Sequence, residues 1–293
     1  MKFTAAAVQI APVKADYAAN IERVAEAAVR CSADGADLAV FPETVLSGYF
    51  LQGGVAEVAV TAEQAKADLA ERLTGKIERP LDVVVGFYER HDGHIYNCAA
   101  HISFSPSDAE ILHVHRKFFL PTYGVFDEER FVARGRDISA YSTRFGRFAM
   151  LICEDTWHSV TATIAALKGA QTIVAVAASP ARGFSGESFA NLDHYRRLLR
   201  AISEEHGLWT INAMLVGFEG GKGFTGGSVI VDPFGKIVVE GPATEEFILS
   251  AEIDLAEVAR AREKFPMLAD LVSVLEDVAR EMQEVNEAEC PQP

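Results

Sequence analysis

The sequence predicts an α/β fold, and three observations carry that prediction. Short runs of apolar and β-branched residues, among them Phe3 to Ile10, Leu38 to Phe41, Asp82 to Tyr88 and Thr172 to Ala177, have the length and continuity of buried strands. Between them lie segments whose apolar residues recur at helical spacing, with Gly or Pro at most boundaries. The alternation contains no internal repeat, low-complexity tract or linker, so one α/β domain with helices over a largely mixed sheet is expected. Hydrophobic residues make up 49% of the 293, ample for a substantial core.

In chain order, Phe3 to Ile10 is a buried strand, and after Pro12 the period changes to a helix with Ile21, Val24, Ala28 and Cys31 on one face and Gly35 at its end. Leu38 to Phe41 completes a βαβ opening and runs into Pro42-Glu43-Thr44. A carboxylate just past a strand's C-terminal end lies where α/β sheets usually build sites, although Glu43 taken alone reads as a solvated loop acid. Residues 62–76 are helical, followed by the strands Asp82 to Tyr88, Ile95 to Phe104 and Glu110 to Val114. These lead to Lys117 and an aromatic, turn-rich loop from Phe118 to Glu128, of a kind that wraps a pocket rather than faces water.

The next strand stops abruptly at Cys153-Glu154-Asp155, before a helix over roughly Ser159 to Lys168 that Gly169 ends. Thr172 to Ala177 feeds Ala178-Ser179-Pro180, and an amphipathic helix spans about Glu187 to Glu205. Trp209 to Val216 is a strand, Ser228 to Asp232 and Lys236 to Glu240 form a hairpin, and Phe247 to Ile253 closes the sheet. The domain is therefore drawn over residues 1–255. Residues 256–293 read as an acidic helical tail with Leu268, Leu271, Val272, Leu275 and Val278 on one face, packing on the domain or on a second subunit.

A formal net charge of −15 argues against nucleic acid as a partner, because phosphate backbones are bound by clustered Lys and Arg. Cys31, Cys98, Cys153 and Cys290 are too scattered for a disulfide framework and have no metal-ligand spacing, which fits a reducing compartment and no metal. The N-terminal apolar run is too short for a signal peptide, and no run approaches the ~20 residues needed to cross a bilayer. A soluble, cytoplasmic protein without a membrane partner is expected.

Cys153 alone reads as a small core thiol. At a strand-to-helix corner, near backbone N–H groups that lower thiol pKa, it reads as a nucleophile. Other strand ends supply what attack on an amide carbonyl needs. Glu43 fits a general base, Lys117 a stabiliser of the oxyanion together with a backbone N–H after Cys153, and Glu128 lies in the loop after the lysine. His113 and His115 point to one face of a strand and read as structural histidines rather than half of a Cys/His dyad.

Phe41-Pro42-Glu43, Arg116-Lys117-Phe118-Phe119-Leu120-Pro121 with Glu128 eleven residues after the lysine, and Leu151-Ile152-Cys153-Glu154-Asp155 resemble, in order, the three blocks of the nitrilase (carbon–nitrogen hydrolase) superfamily. Tyr96-Asn97-Cys98-Ala99, Ala178-Ser179-Pro180, Arg200-Ala201 and Gly226-Gly227-Ser228 through Asp232-Pro233-Phe234-Gly235 add secondary matches, so the resemblance spans residues 2 to about 255. It implies a four-layer α-β-β-α sandwich pairing with a second copy as a homodimer or higher homo-oligomer. It also implies cofactor-free hydrolysis of a non-peptide C–N bond through a thioester, with Glu128 as a second glutamate that orders the lysine and the substrate.

Leu120 to Glu128 and Ile152 to Trp157 are most similar to the glutaminase domain of glutamine-dependent NAD synthetases. No synthetase domain or pyrophosphatase loop is recognised before Pro293, so the resemblance implies a glutaminase-like ω-amidase acting on a small-molecule amide. By that likeness Tyr123, Ser179 and the main chain near Phe184 contact substrate. Glu154 beside the nucleophile joins this set, and Arg182 is the candidate for a substrate carboxylate, its plainer reading being a solvated arginine. N-carbamoyl compounds and nitriles are the rival substrates, and an ammonia-donating or non-enzymatic subunit is the alternative of another class.

Overall fold

The apolar runs assemble into two six-stranded sheets rather than one. The computed structural model describes residues 1–185 and 188–287. Its first strands are β1 (Lys2–Gln9), β2 (Leu38–Val40), β3 (Leu81–His91), β4 (His94–Phe104), β5 (Ala109–Arg116), β6 (Ala140–Ser142), β7 (Arg147–Ile152) and β8 (Thr172–Ala177). The later ones are β9 (Phe184–Ser185), β10 (Ser188–Phe189), β11 (Trp209–Met214), β12 (Gly217–Glu219), β13 (Lys222–Phe224), β14 (Val229–Val231), β15 (Ile237–Glu240) and β16 (Phe247–Asp254). Sheet one has the order β16-β1-β2-β3-β4-β5 and sheet two β15-β14-β11-β8-β7-β6, while β9–β10 and β12–β13 are small separate ribbons.

Within sheet one β1, β2 and β3 are parallel, and within sheet two so are β7, β8 and β11. The other neighbours are antiparallel. Two reversals through β4 leave β5 pointing the same way as β3, so the C-terminal ends of β2 and β5 lie at one end of the sheet.

The period-2 alternation of strand side chains explains the layers. Phe3, Ala5 and Ala7 of β1 meet Phe148, Met150, Val174 and Ile211 of the other sheet in the central core. Their neighbours Ala6 and Val8 face the opposite way, onto Ile21, Val24 and Ala28 of α1 (Tyr17–Ala33) and Leu69 of α3 (Ala62–Leu73). The one-turn α2 (Val55–Val58) precedes α3. On the far side Ala149, Leu151 and Ile173 pack on Ala162 and Ala165 of α4 (Ser159–Leu167) and Ile202 of α5 (Ala190–His206). The central strands, such as β2, β8 and β11, are buried on both faces, which is why they read as unbroken apolar runs. Each large side chain so placed contributes roughly 1.5–3 kcal/mol relative to exposure. This is the expected α-β-β-α sandwich.

Several short elements escaped the sequence pattern, among them α2 and the two-residue strands β9 and β10. β6 is a three-residue edge strand, and the β12–β13 ribbon is glycine-rich, so neither carries the apolar alternation that marks a strand. The expected start of the long helix at Glu187 lies outside the described residues, as does Cys290; α5 itself begins at Ala190. Cys31, Cys98 and Cys153 are free thiols.

In the tail, α6 (Ala256–Lys264) buries Val258 and Ala261, whereas α7 (Met267–Ser273) and α8 (Leu275–Glu287) bury no residue. Leu268 packs on the α4 side of the core, and Val272 and Leu275 face outward. Among the described residues no helix is long and apolar enough to cross a membrane.

Candidate active site

Glu43 leaves the end of β2 on a backbone pressed against β3, an approach that only a glycine permits. A Cβ at Gly86 would lie 2.4 Å from the Pro42 carbonyl oxygen and 2.7 Å from the Glu43 Cα. The carboxylate is fully buried and its oxygens are separately held. Oε1 accepts from Asn97 Nδ2 at 2.7 Å and from Lys117 Nζ at 2.8 Å, while Oε2 accepts from the Ala178 N–H at 2.7 Å.

Lys117 follows β5, its N–H donating to the Asn97 carbonyl at 2.8 Å. The fully buried Nζ also donates to Glu128 Oε1 at 2.5 Å, and Tyr49 Oη donates to the same oxygen. Burying an ion costs several kcal/mol unless opposite charges and hydrogen bonds offset it, and here one ammonium sits between two carboxylates. Burial alone would lower the Lys117 pKa, but Glu128 and Glu43 outweigh it and hold the ammonium well above the ordinary value. Glu128 pays for the arrangement: burial, with the Glu43 charge, pushes its carboxyl up to about 7 against the pull of Lys117. Among the described residues its Oε2 has no hydrogen-bond partner, which makes it the natural seat of the extra proton.

Cys153 ends the run of β7 and opens a 3₁₀ turn, Cys153–Trp157, with φ at +48°. A left-handed backbone costs a non-glycine residue roughly 1–2 kcal/mol, so the surroundings must enforce it. Asp155 does so. Its Oδ2 accepts from the Ile152 N–H at 3.0 Å, closing the turn, and its Oδ1 accepts from the N–H groups of Phe118 and Phe119 at 3.0 and 2.9 Å. His115 Nε2 lies 2.9 Å from Oδ2. One carboxylate thereby ties the loop after Lys117 to the turn that aims Cys153.

The sulfur accepts a hydrogen bond from Tyr195 Oη at 3.2 Å and lies 4.0 Å from the Ala178 carbonyl oxygen. Ala178 thus presents its N–H to Glu43 and its carbonyl to Cys153, which places the carboxylate and the thiol at two ends of one residue. The expected lowering of the thiol pKa is reversed. Burial first and the Glu43 carboxylate second push the Cys153 thiol well above its usual value. α4 starts only at Ser159, and the short turn before it does not counter the loss of water.

The outer residues scatter around this centre. Tyr123 is exposed and donates to Glu154 Oε2 at 2.9 Å, so these two pair with each other. Ser179 is buried, its Oγ accepting from Asn191 Nδ2 at 2.8 Å. Arg182 stacks 5.0 Å above the Phe126 ring and lines a cavity of about 450 Å³ together with Phe189 and Lys222. The main chain at Phe184 pairs with Phe189 in the small ribbon. The aromatic loop is divided: Leu120 and Phe126 are buried, and Tyr123 and Val125 face out.

A second cavity of about 360 Å³, walled by Tyr49, Tyr88, Phe126 and Phe131, reaches Glu128. His115 is absorbed by Asp155, and His113 stacks on Tyr141, its pKa lowered to about 4 by burial, so neither serves Cys153. Sequence reasoning missed the contacts of Asn97, Tyr49 and Tyr195. The signals were faint: one amide inside an apolar strand, an aromatic after Gly48, and a hydroxyl on the apolar face of a helix.

The carbon–nitrogen hydrolase family model matches residues 4–263. The chain belongs to the carbon–nitrogen hydrolase family. Among curated relatives of this hydrolase, the glutamine-dependent NAD(+) synthetase of Thermotoga maritima is 30% identical over 254 residues, which are 86% of this chain and 42% of the synthetase. The hydrolase therefore spans less than half the length of that relative. An (R)-stereoselective amidase of a Pseudomonas species is 29% identical over 269 residues, covering 90% of this chain and 89% of the amidase. Among solved structures, a carbon–nitrogen hydrolase from Helicobacter pylori superposes with a TM-score of 0.78 at 24% identity, over 95% of this chain and 99% of the other, a likeness of fold.

Proposed function

We propose that this carbon–nitrogen hydrolase cleaves the C–N bond of a small primary amide through a thioester on Cys153 and releases ammonia. The observation that carries the reading is the meeting of Glu43 and Cys153 at Ala178, beside an ammonium sealed between Glu43 and Glu128. A thiol with a raised pKa suits general-base catalysis, since the proton then leaves only as sulfur attacks. Glu43 takes that proton while the S–C bond forms and the carbonyl electrons move to oxygen.

Lys117 Nζ has three protons, and two are committed to Glu43 and Glu128. The third, with the N–H that follows Cys153, serves the developing oxyanion. Glu43 then protonates the departing nitrogen. In the second half Glu43 removes a proton from water as its oxygen bonds to the thioester carbon; the C–S bond then breaks, the carboxylic acid leaves, and Glu43 returns the proton to sulfur. Glu128, held by Tyr49 and Lys117, keeps the ammonium in place; Tyr123, Glu154, Ser179 and the Phe184 main chain line the approach of the acyl group.

N-carbamoyl amino acids form the second reading. The observation favouring it is Arg182, which is only partly buried and lines the 450 Å³ cavity, where its fork would pair with a substrate carboxylate. The test is ammonia release from glutamine, asparagine, short aliphatic amides and N-carbamoyl amino acids, with Cys153→Ala as control. The variant is expected to lose turnover on the preferred compound while its circular dichroism stays that of the parent. Undiminished turnover would sink the mechanism.

A further inference from the structure

Tyr195 occupies a place that packing alone does not require. It is buried on α5, the outer layer behind sheet two, yet its hydroxyl reaches across to the Cys153 sulfur at 3.2 Å. The ring is steered there by Trp157, which meets it edge-on at 5.4 Å and 87°. Trp157 closes the turn that Cys153 opens, and it is itself stacked on His194 at 4.2 Å. Helix and nucleophile turn are therefore clamped together at the point where the hydroxyl meets the sulfur.

We infer that Tyr195 is a catalytic hydrogen-bond donor to Cys153, stabilising the sulfur's negative charge as it attacks the carbonyl and again as it is expelled from the thioester. The inference rests on Cys153 being the nucleophile. In attack the thiol proton passes to Glu43, the S–C bond forms and the carbonyl electron pair moves to oxygen. In deacylation the C–S bond breaks with its electron pair on sulfur, which then takes back a proton from Glu43. Tyr195 keeps its own proton throughout, because burial and the neighbouring Cys153 hold the phenol well above its ordinary pKa. The strongest ionisable influences on the thiol besides Tyr195 are Glu43 and Glu128, which oppose its ionisation, and Lys117, which favours it; Tyr49 and Tyr123 also interact with it. Between them the acids and the lysine leave the sulfur short of stabilisation, and a neutral donor adds it without another charge.

The test uses the full chain and iodoacetamide, with modification of Cys153 followed by mass spectrometry so that the other cysteines do not count. Tyr195→Phe removes one oxygen and leaves the ring against Trp157. Its alkylation rate and its kcat are expected to fall roughly ten- to hundredfold at fixed pH, with KM and thermal midpoint close to the parent's. A series with 3-fluoro-, 3,5-difluoro- and 2,3,5-trifluorotyrosine in place of Tyr195 keeps the shape and strengthens the donor stepwise. The alkylation rate is expected to rise along the series. This series also decides the matter should the Phe variant fail to fold.

A rate that ignores phenol acidity, or a Phe variant with parental kcat, would reduce Tyr195 to a packing residue while leaving the Cys153 mechanism standing. Turnover surviving in Cys153→Ala would instead overturn the mechanism on which the inference rests.

Discussion

Exchanging Asp155 for asparagine replaces one oxygen by an NH₂ and asks how far one carboxylate holds the site in register. Asp155 accepts four hydrogen bonds, two at each oxygen, from Phe118 N, Phe119 N, Ile152 N and His115 Nε2, at distances of 2.9 to 3.0 Å. An amide must turn its NH₂ toward one of these pairs. Facing Phe118 and Phe119, it opposes two donors. Facing Ile152 and His115, it opposes one, since the imidazole can present its other tautomer and accept.

Even the better orientation leaves the Ile152 N–H unpaired inside the protein and turns the other bonds from charged to neutral. A bond to a charged group is worth roughly 1.5–3 kcal/mol and a neutral one about 0.5–1.5, so one bond lost and three weakened amount to about 4–7 kcal/mol. The same bonds join the Lys117 loop to the Cys153 turn, and a misplacement of about 1 Å at a reacting centre costs on the order of a hundredfold in rate. Urea unfolding measures the first quantity. Ammonia release well below the melting temperature measures the second. A variant within about 1 kcal/mol of the parent and with parental turnover would refute the argument, because the four contacts would then carry neither stability nor register.

Gly86→Ala places a methyl 2.4 Å from the Pro42 carbonyl oxygen and 2.7 Å from both the Glu43 Cα and the Thr44 nitrogen, all backbone. We expect a loss of about 1–3 kcal/mol in thermal unfolding and a larger relative loss of activity as Glu43 is displaced; equal turnover would exclude a role for this close approach. Glu128→Gln addresses pH. Between the ordinary 4.5 and about 7 the folded chain holds a proton at Glu128 that the unfolded chain has released, so stability falls as pH rises through that window. The slope is at most roughly 1.4 kcal/mol per pH unit, and stability curves measured at several pH values should flatten in the variant. Lys117→Ala is expected to reduce kcat by about a hundred- to a thousandfold, and steady-state kinetics with an effect on KM alone would argue against the oxyanion role.

Much of this molecule was legible along the chain because its information is local. Cys153 stands directly after an apolar run, Glu43 one proline beyond one and Lys117 three residues past the strand that ends at Val114, so their position near strand ends followed from the runs. The division into two sheets did not, since a strand buried on both faces looks the same in either sheet. It depends on pairings such as Lys2 with Asp254, which no local pattern records. The same distance hid Tyr195, 42 residues from the sulfur it touches, and Ala178, 135 residues from Glu43. The thiol pKa was misjudged because a strand-to-helix corner suggests a helix N-terminus, whereas the degree of burial, which reverses the shift, is settled by the loops around it.

The division of the site between the two sheets has a consequence for assembly as well. Glu43, Asn97 and Lys117 hang from the first sheet and Cys153 and Ala178 from the second, and the first sheet is completed only by β16 near the end of the chain, so the proposed base and nucleophile meet only when both sheets are in place. On the proposed mechanism turnover needs the residues of both sheets in contact, which makes ammonia release a reporter of sheet docking as well as of chemistry.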